Sequence, residues 1–120
     1  MFFNFIFLLK KHHENKYSIE PAFYSFLLIN EGVNLPLWFG KPFPSIFELA
    51  IEKIENLTEK NINLSRVGMV GDTLHTDILG ANSFGIKSIL MTGHGFFKNQ
   101  KISSIIKETT IIPDYIVQNA

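Results

Sequence analysis

Apolar positions fall into two periods along this chain. Runs of four to six consecutive apolar residues alternate with segments in which apolar residues recur every third or fourth position, which is the pattern of strands exchanging with amphipathic helices. The opening, Met1 to Leu9, is apolar throughout except for Asn4. It reads as a strand or end-piece that expects something to cover it, because it is far shorter than the roughly 20 residues needed to span a bilayer and lacks the leading positive charge and small-residue cleavage site of a targeting segment. Lys10 to Lys16 is polar and aperiodic and reads as a loop. Ser18 is placed to cap a helix over about Ile19 to Asn30, with Pro21 in its first turn, Phe23, Phe26 and Leu27 on one stripe, and Gly32 as its stop. Leu35 to Phe39 predicts a short strand with a proline near its start. Ser45-Ile46-Phe47-Glu48 has the spacing of a capping box for a helix reaching about Leu57, with Ile46, Leu49, Ala50, Ile54 and Leu57 as its packing face.

Val67 to Val70 is apolar at almost every position, as a parallel strand buried on both faces would be. A helix over Thr76 to Phe84 ended by Gly85, a strand over Ile86 to Met91, a helix over Lys101 to Glu108 and a strand over Asp114 to Val117 complete the series. The order strand, helix, strand, helix, strand, helix, strand predicts an α/β fold with a parallel sheet of about four strands joined by right-handed crossovers.

Composition narrows the function classes. Eleven basic and eleven acidic residues cancel and are scattered, so the basic footprint of a nucleic-acid binder is lacking. The 120 residues, 46% hydrophobic, suit one packed domain rather than a disordered chain. The chain has no cysteine, which removes disulfides and thiolate chemistry and fits a reducing, cytoplasmic setting.

Three features stand at the expected strand ends: Lys41 in Gly40-Lys41-Pro42, Asp72 in Gly71-Asp72-Thr73, and the Thr92-Gly93-His94-Gly95 turn. In a parallel sheet these ends point one way, so a lysine and an aspartate thirty-one residues apart (72−41) can share one crevice. Asp72 offers a hard oxygen ligand for Mg2+, and Lys41 a compact positive charge for phosphate. Asp77, five residues on (77−72), can accept backbone amides, favour the helix dipole or hold the lysine. Each feature has a plainer reading as an ordinary turn or helix entry. His12 and His13 are adjacent and so point to different faces, His75 reads as a solvated or hydrogen-bonded histidine, and His94 overhangs the crevice as a candidate for substrate contact.

Gly40-Lys41-Pro42 followed by Ile46-Phe47-Glu48-Leu49-Ala50, then Val70 to Asn82 (VGDTLHTDILGAN), Gly85-Ile86 and a strand ending Thr92-Gly93 resembles the C-terminal part of haloacid dehalogenase-like (HAD) hydrolases. The nearest likeness is to the subfamily IIA phosphatases of the 4-nitrophenylphosphatase and nucleotide- or sugar-phosphate type, over about Ile19 to Val117. The resemblance implies a Rossmann-like, three-layer α/β/α core. It implies that Lys41 steadies the nucleophile and bound phosphate, that Asp72 ligates Mg2+, that Asp77 supports the metal shell, and that the substrate is a small phosphate ester. Residues 1–17 then correspond to the tail of a cap domain and 18–120 to the C-terminal part of the core. Enzymes of this kind attack phosphate with an aspartate of an Asp-x-Asp motif. The aspartates here are Asp72, Asp77 and Asp114 alone, so that motif is missing from the chain. The expectation is a C-terminal portion of a Mg2+-dependent phosphatase with negligible turnover by itself. The alternative is a non-catalytic module that completes or regulates a separately encoded half. Either way, a parallel sheet without its first strand is expected to expose an apolar edge open to pairing.

Overall fold

The computed structural model describes residues 9–13, 16–19, 21–34 and 37–119, so the apolar opening up to Leu8 lies outside the described residues. The chain forms two compact units, Met1–Leu37 and Trp38–Ala120. In the first, β1 (Leu9–His13) and β2 (Lys16–Ile19) pair antiparallel in a two-stranded sheet of their own, with a register shift between Lys11 and His13. The expected loop over Lys10 to Lys16 is thus a hairpin, and Ser18 lies in β2 instead of capping a helix. Helix α1 (Pro21–Asn30) follows, with its proline at the first position, and its Phe23 and Tyr24 rings meet edge to face.

The second unit opens without the expected strand: Leu37 to Phe39 pair with no neighbour, and Leu35 and Pro36 lie outside the described residues. Among the described residues the parallel sheet has three strands. Helix α2 (Pro44–Thr58) starts at Pro44 with Phe43 as an extended N-cap that makes no side-chain bond. Ser45 is already inside the helix, and its hydroxyl donates to the Trp38 carbonyl at 3.0 Å, so no capping box forms. The buried residue of α2 is Phe47, stacked on Phe84, while Leu49 and Leu57 of the expected packing face are 51% and 83% exposed. Helix α2 packs chiefly on the helix of Leu79–Phe84, where Phe47 joins Ala81, Phe84 and Ile86 in one cluster.

Strands β3 (Gly68–Gly71), β4 (Lys87–Met91) and β5 (Tyr115–Val117) are parallel in the order β3-β4-β5. Between β3 and β4 runs one π-turn, Leu74–Ile78, that passes directly into α3 (Leu79–Phe84), and α4 (Ile102–Thr109) connects β4 to β5. β3 is an edge strand, with Gly68 and Val70 exposed, and not the doubly buried strand its composition suggests. Met69 and Gly71 align with Ser88 and Leu90 on the helix-covered face, where two apolar clusters form, one around Phe47, Ala81 and Ile86 and one around Leu74, Ile78, Leu90, Phe97 and Ile111.

The N-terminal end of β5 is fastened to β4 by side chains. The Asp114 carboxylate accepts from the Ser88 N–H at 2.9 Å and the Ser88 hydroxyl at 3.2 Å, and the Lys87 ammonium lies 3.3 Å away. The Ser88 amide, and with it Lys87, holds the Asp114 carboxyl below the ordinary carboxylate range. A folded-state value below the unfolded one means stability that is present above the unfolded pKa of about 3.9 and is lost as pH falls through the folded value. Thermal melting followed downward from about pH 5 should therefore decline, and Asp114→Asn should make that decline shallower. An identical acid profile in the variant would refute the coupling.

Candidate active site

The C-terminal end of β3 is the part of the sheet where polar groups gather. Asp72 follows the strand directly and is half-buried. Its carboxylate accepts a hydrogen bond from the Thr73 hydroxyl at 3.2 Å and from the Phe96 N–H at 3.4 Å. Gly95 approaches so closely, with φ +70, that a side-chain carbon there would overlap the Asp72 carboxyl group. Glycine meets both demands at once, the left-handed backbone and the close approach. The Gly95–Phe97 turn is anchored by Phe97, which is 3% exposed in the core beside Leu90.

Asp77 is brought to the same strand end by the π-turn. The Asp77 N–H bonds the Thr73 carbonyl at 3.1 Å and the Ile78 N–H bonds the same carbonyl at 3.3 Å, the widened turn that recurs at functional sites. The helical path therefore starts at Leu74, ahead of the expected Thr76, with the π-turn leading into α3. Asp77 is 3% exposed. One of its oxygens takes the Lys41 ammonium at 2.5 Å and the other accepts from the Thr73 N–H at 3.2 Å. Lys41 reaches it from the turn before α2 and not from a strand end.

Of the sequence-derived candidates, Lys41 and Asp77 are thus in contact, and Asp72 sits at the same strand end against Gly95 and Phe96. His75, read as a solvated or hydrogen-bonded histidine, is buried, and burial pushes its imidazole below the ordinary value, which keeps it neutral near neutral pH. His94 is exposed. His12 and His13 fall in β1, their side chains outside the described residues. Thr73 and Gly95 stood in the sequence only as parts of turns, without a role, and Phe96 was missed. Thr73 contributes its hydroxyl and its N–H, Phe96 its N–H and Gly95 the lack of a side chain, so residue type could have signalled only the threonine and the glycine. Asp114 precedes β5 and so stands at the opposite edge of the sheet, bound to Ser88 and Lys87.

A sheet end that offers a lysine, a buried acid to hold it and a second carboxylate with spare acceptor capacity is suited to handling a phosphate and a hard cation. The family profile described as HAD-hydrolase-like matches residues 38–119. The chain belongs to the HAD-hydrolase-like family. It is 37% identical over 84 residues to human glycerol-3-phosphate phosphatase, an alignment covering 67% of this chain and 24% of that protein. Among solved structures it resembles a "possible sugar phosphatase" of the HAD superfamily from Cytophaga hutchinsonii, with TM-score 0.70 and 28% identity over 93% of this chain and 38% of that one. The 4-nitrophenylphosphatase of Thermotoga maritima shares the fold at TM-score 0.71 and 21% identity, over 93% of this chain and 39% of the other. The present HAD-like chain therefore spans about a quarter of the human relative and about two-fifths of these solved ones, and its three-stranded parallel sheet with flanking helices is their Rossmann-like α/β architecture.

Proposed function

We propose that this HAD-like chain is the phosphate- and Mg2+-handling C-terminal part of a phosphate-monoester hydrolase, acting on a small phosphate ester in the cytoplasm, with residues 1–17 as the tail of a cap domain. The observation that carries the reading is the Lys41–Asp77 contact at the end of β3, beside Asp72. Asp77 is tied to Lys41 and Thr73, so its role is to hold the ammonium in place, and it supports a metal shell only through that arrangement. Lys41 would bind phosphate oxygens as a point charge.

The donors fit Mg2+ in part. Among the described residues no three His, Cys, Asp or Glu side chains converge, but this cation commonly takes one or two carboxylates and fills its remaining positions with water and substrate oxygens. Asp72 accepts only hydrogen bonds of 3.2 and 3.4 Å and keeps lone pairs for a cation. Bound at Asp72, Mg2+ would supply charge compensation to the phosphate. Of the other two aspartates, Asp77 is engaged by Lys41 and Asp114 lies at the far edge, so neither serves as the nucleophile.

Turnover by the chain alone is therefore expected to be negligible. Purified chain assayed with 4-nitrophenyl phosphate and Mg2+ should match Asp72→Asn at background level, while calorimetric Mg2+ affinity should fall at least about tenfold in that variant, the loss of one charged ligand. Robust hydrolysis abolished by Asp72→Asn would overturn the account of the missing nucleophile. The free edge of β3 favours a second reading, in which this chain completes or regulates a separate catalytic half.

A further inference from the structure

Thr73 stands between the two acids at the end of β3 and touches both. Its N–H donates to Oδ2 of Asp77 at 3.2 Å, and its carbonyl accepts from the Asp77 and Ile78 N–H groups at 3.1 and 3.3 Å. Any residue except proline could make those backbone bonds. The hydroxyl is another matter. Thr73 is the N-cap of the π-turn, where a threonine side chain ordinarily accepts from a free N–H of the first turn, yet it makes no such bond. It donates instead to Oδ1 of Asp72 at 3.2 Å. The turn forgoes its side-chain cap, and the group that would have supplied it is directed at the neighbouring carboxylate.

The other oxygen of Asp72 is fixed from the opposite side. Oδ2 accepts from the Phe96 N–H at 3.4 Å, and Gly95 lies so near that the carboxyl group cannot swing further that way. The segment that carries Gly95 and Phe96 is itself held at both ends, by the Gly93 N–H on the Gln118 carbonyl at 2.7 Å and by Phe97, buried beside Leu90. Backbone thus sets one side of the carboxylate, and a single side-chain hydroxyl sets the other. We infer that Thr73 is a positioning residue for Asp72, whose hydroxyl fixes the direction in which that carboxylate offers its remaining lone pairs to Mg2+. The inference rests on the reading of Asp72 as the Mg2+ ligand and names the residue that orients it. Orientation counts for more here than in a site with several ligands. Asp77 is committed to Lys41, and among the described residues no three metal-binding side chains converge. A lone carboxylate free to rotate must be immobilised when a cation binds, and a hydrogen bond made beforehand removes that cost. One donor on Oδ1 leaves the oxygen a second lone pair, so hydroxyl and cation do not compete. The plainer role for Thr73 is that of a β-branched residue suited to extended backbone, φ −130 and ψ 122. Valine would fill that role equally well.

The two roles rank the variants in opposite orders. Thr73→Val keeps the branched shape and loses the donor, whereas Thr73→Ser keeps the donor and loses the methyl group. Calorimetric titration of the full chain with Mg2+ should give Thr73→Val an affinity about tenfold below that of the unaltered chain, and Thr73→Ser an affinity within about twofold of it, the former being the lower end for a residue that acts through a metal ligand. Urea denaturation in EDTA should place Thr73→Val at least level with Thr73→Ser in stability. Equal Mg2+ affinity of Thr73→Val and the unaltered chain would overturn the inference. So would a Thr73→Ser chain that binds as weakly as Thr73→Val, or affinities that follow the stability ranking. Asp72→Asn separates this failure from failure of the underlying reading. If Asp72→Asn weakens Mg2+ binding and Thr73→Val does not, the positioning role alone falls. If neither weakens it, or the unaltered chain takes up no Mg2+, Asp72 is not the ligand and both fall.

Discussion

Gly71→Ala is expected to cost about 3 kcal/mol of folding stability, the upper range for overpacking a filled site, and to detach Lys41 from Asp77. A β-carbon on Gly71 would overlap the β-carbon, carboxyl carbon and Oδ2 of Asp77. Asp77 cannot retreat cheaply, because the π-turn that carries it also carries Leu74 and Ile78, both fully buried against Leu90. Gly68 in the same strand is the control. A β-carbon there crowds only the end of the Ile89 side chain, at 2.9 Å, and makes ordinary contact with Lys87 at 3.7 Å; the Ile89 side chain can swing aside, so Gly68→Ala should cost under about 1 kcal/mol. Urea denaturation of the two variants decides the matter, and equal midpoints would show that the Asp77 contact is not the constraint.

Lys41→Met should cost about 2 kcal/mol. Breaking a buried ion pair by removing one partner costs about 3–5 kcal/mol because the other charge is left uncompensated. Here the Asp77 side chain is 5% exposed but that of Lys41 is 43% exposed, and solvent at the ammonium reduces the figure. The Thr73 N–H remains as a partner for the carboxylate at 3.2 Å. Asp77→Asn retains an acceptor for that N–H and should cost about 1 kcal/mol. The double variant should then lose less than the two singles together, with a coupling of at least about 0.5 kcal/mol in a double-mutant cycle. Strict additivity would mean that the two side chains do not act on one another in solution.

The sequence carried the parts of the fold that repeat a physical rule. Strands β3, β4 and β5, the helices between them and the stop at Gly85 follow from apolar runs broken by turn residues, and Asp72 follows from its place after such a run, whereas the run before Lys41 forms no strand. What it did not carry depends on neighbours. The β1–β2 hairpin, LKKHH and KYSI, lacks the strict alternation that marks a strand with one buried face. In α2 the sequence offers a wide apolar surface, and it is the contact with Ala81 and Phe84 of α3 that buries Phe47 and leaves Leu49 exposed. Ser45 and Glu48 have the letters of a capping box, yet the helix starts at Pro44 with Phe43 as its cap, two residues too early for that serine to serve. The Asp77 environment was open to three readings in the sequence. The choice among them rests on one extra residue in a turn, which no periodicity reveals.

That extra residue separates two requirements. A π-turn inserts a residue between Thr73 and Ile78 while the helix beyond it keeps its own phase. The angular position of Asp77 about the axis is therefore set independently of the positions of Ala81 and Phe84, which pack against Phe47. Substitutions that retune the packing of α3 against Phe47 can accumulate without rotating the carboxylate away from Lys41, because the carboxylate's direction is held by the turn that Leu74 and Ile78 anchor in the core.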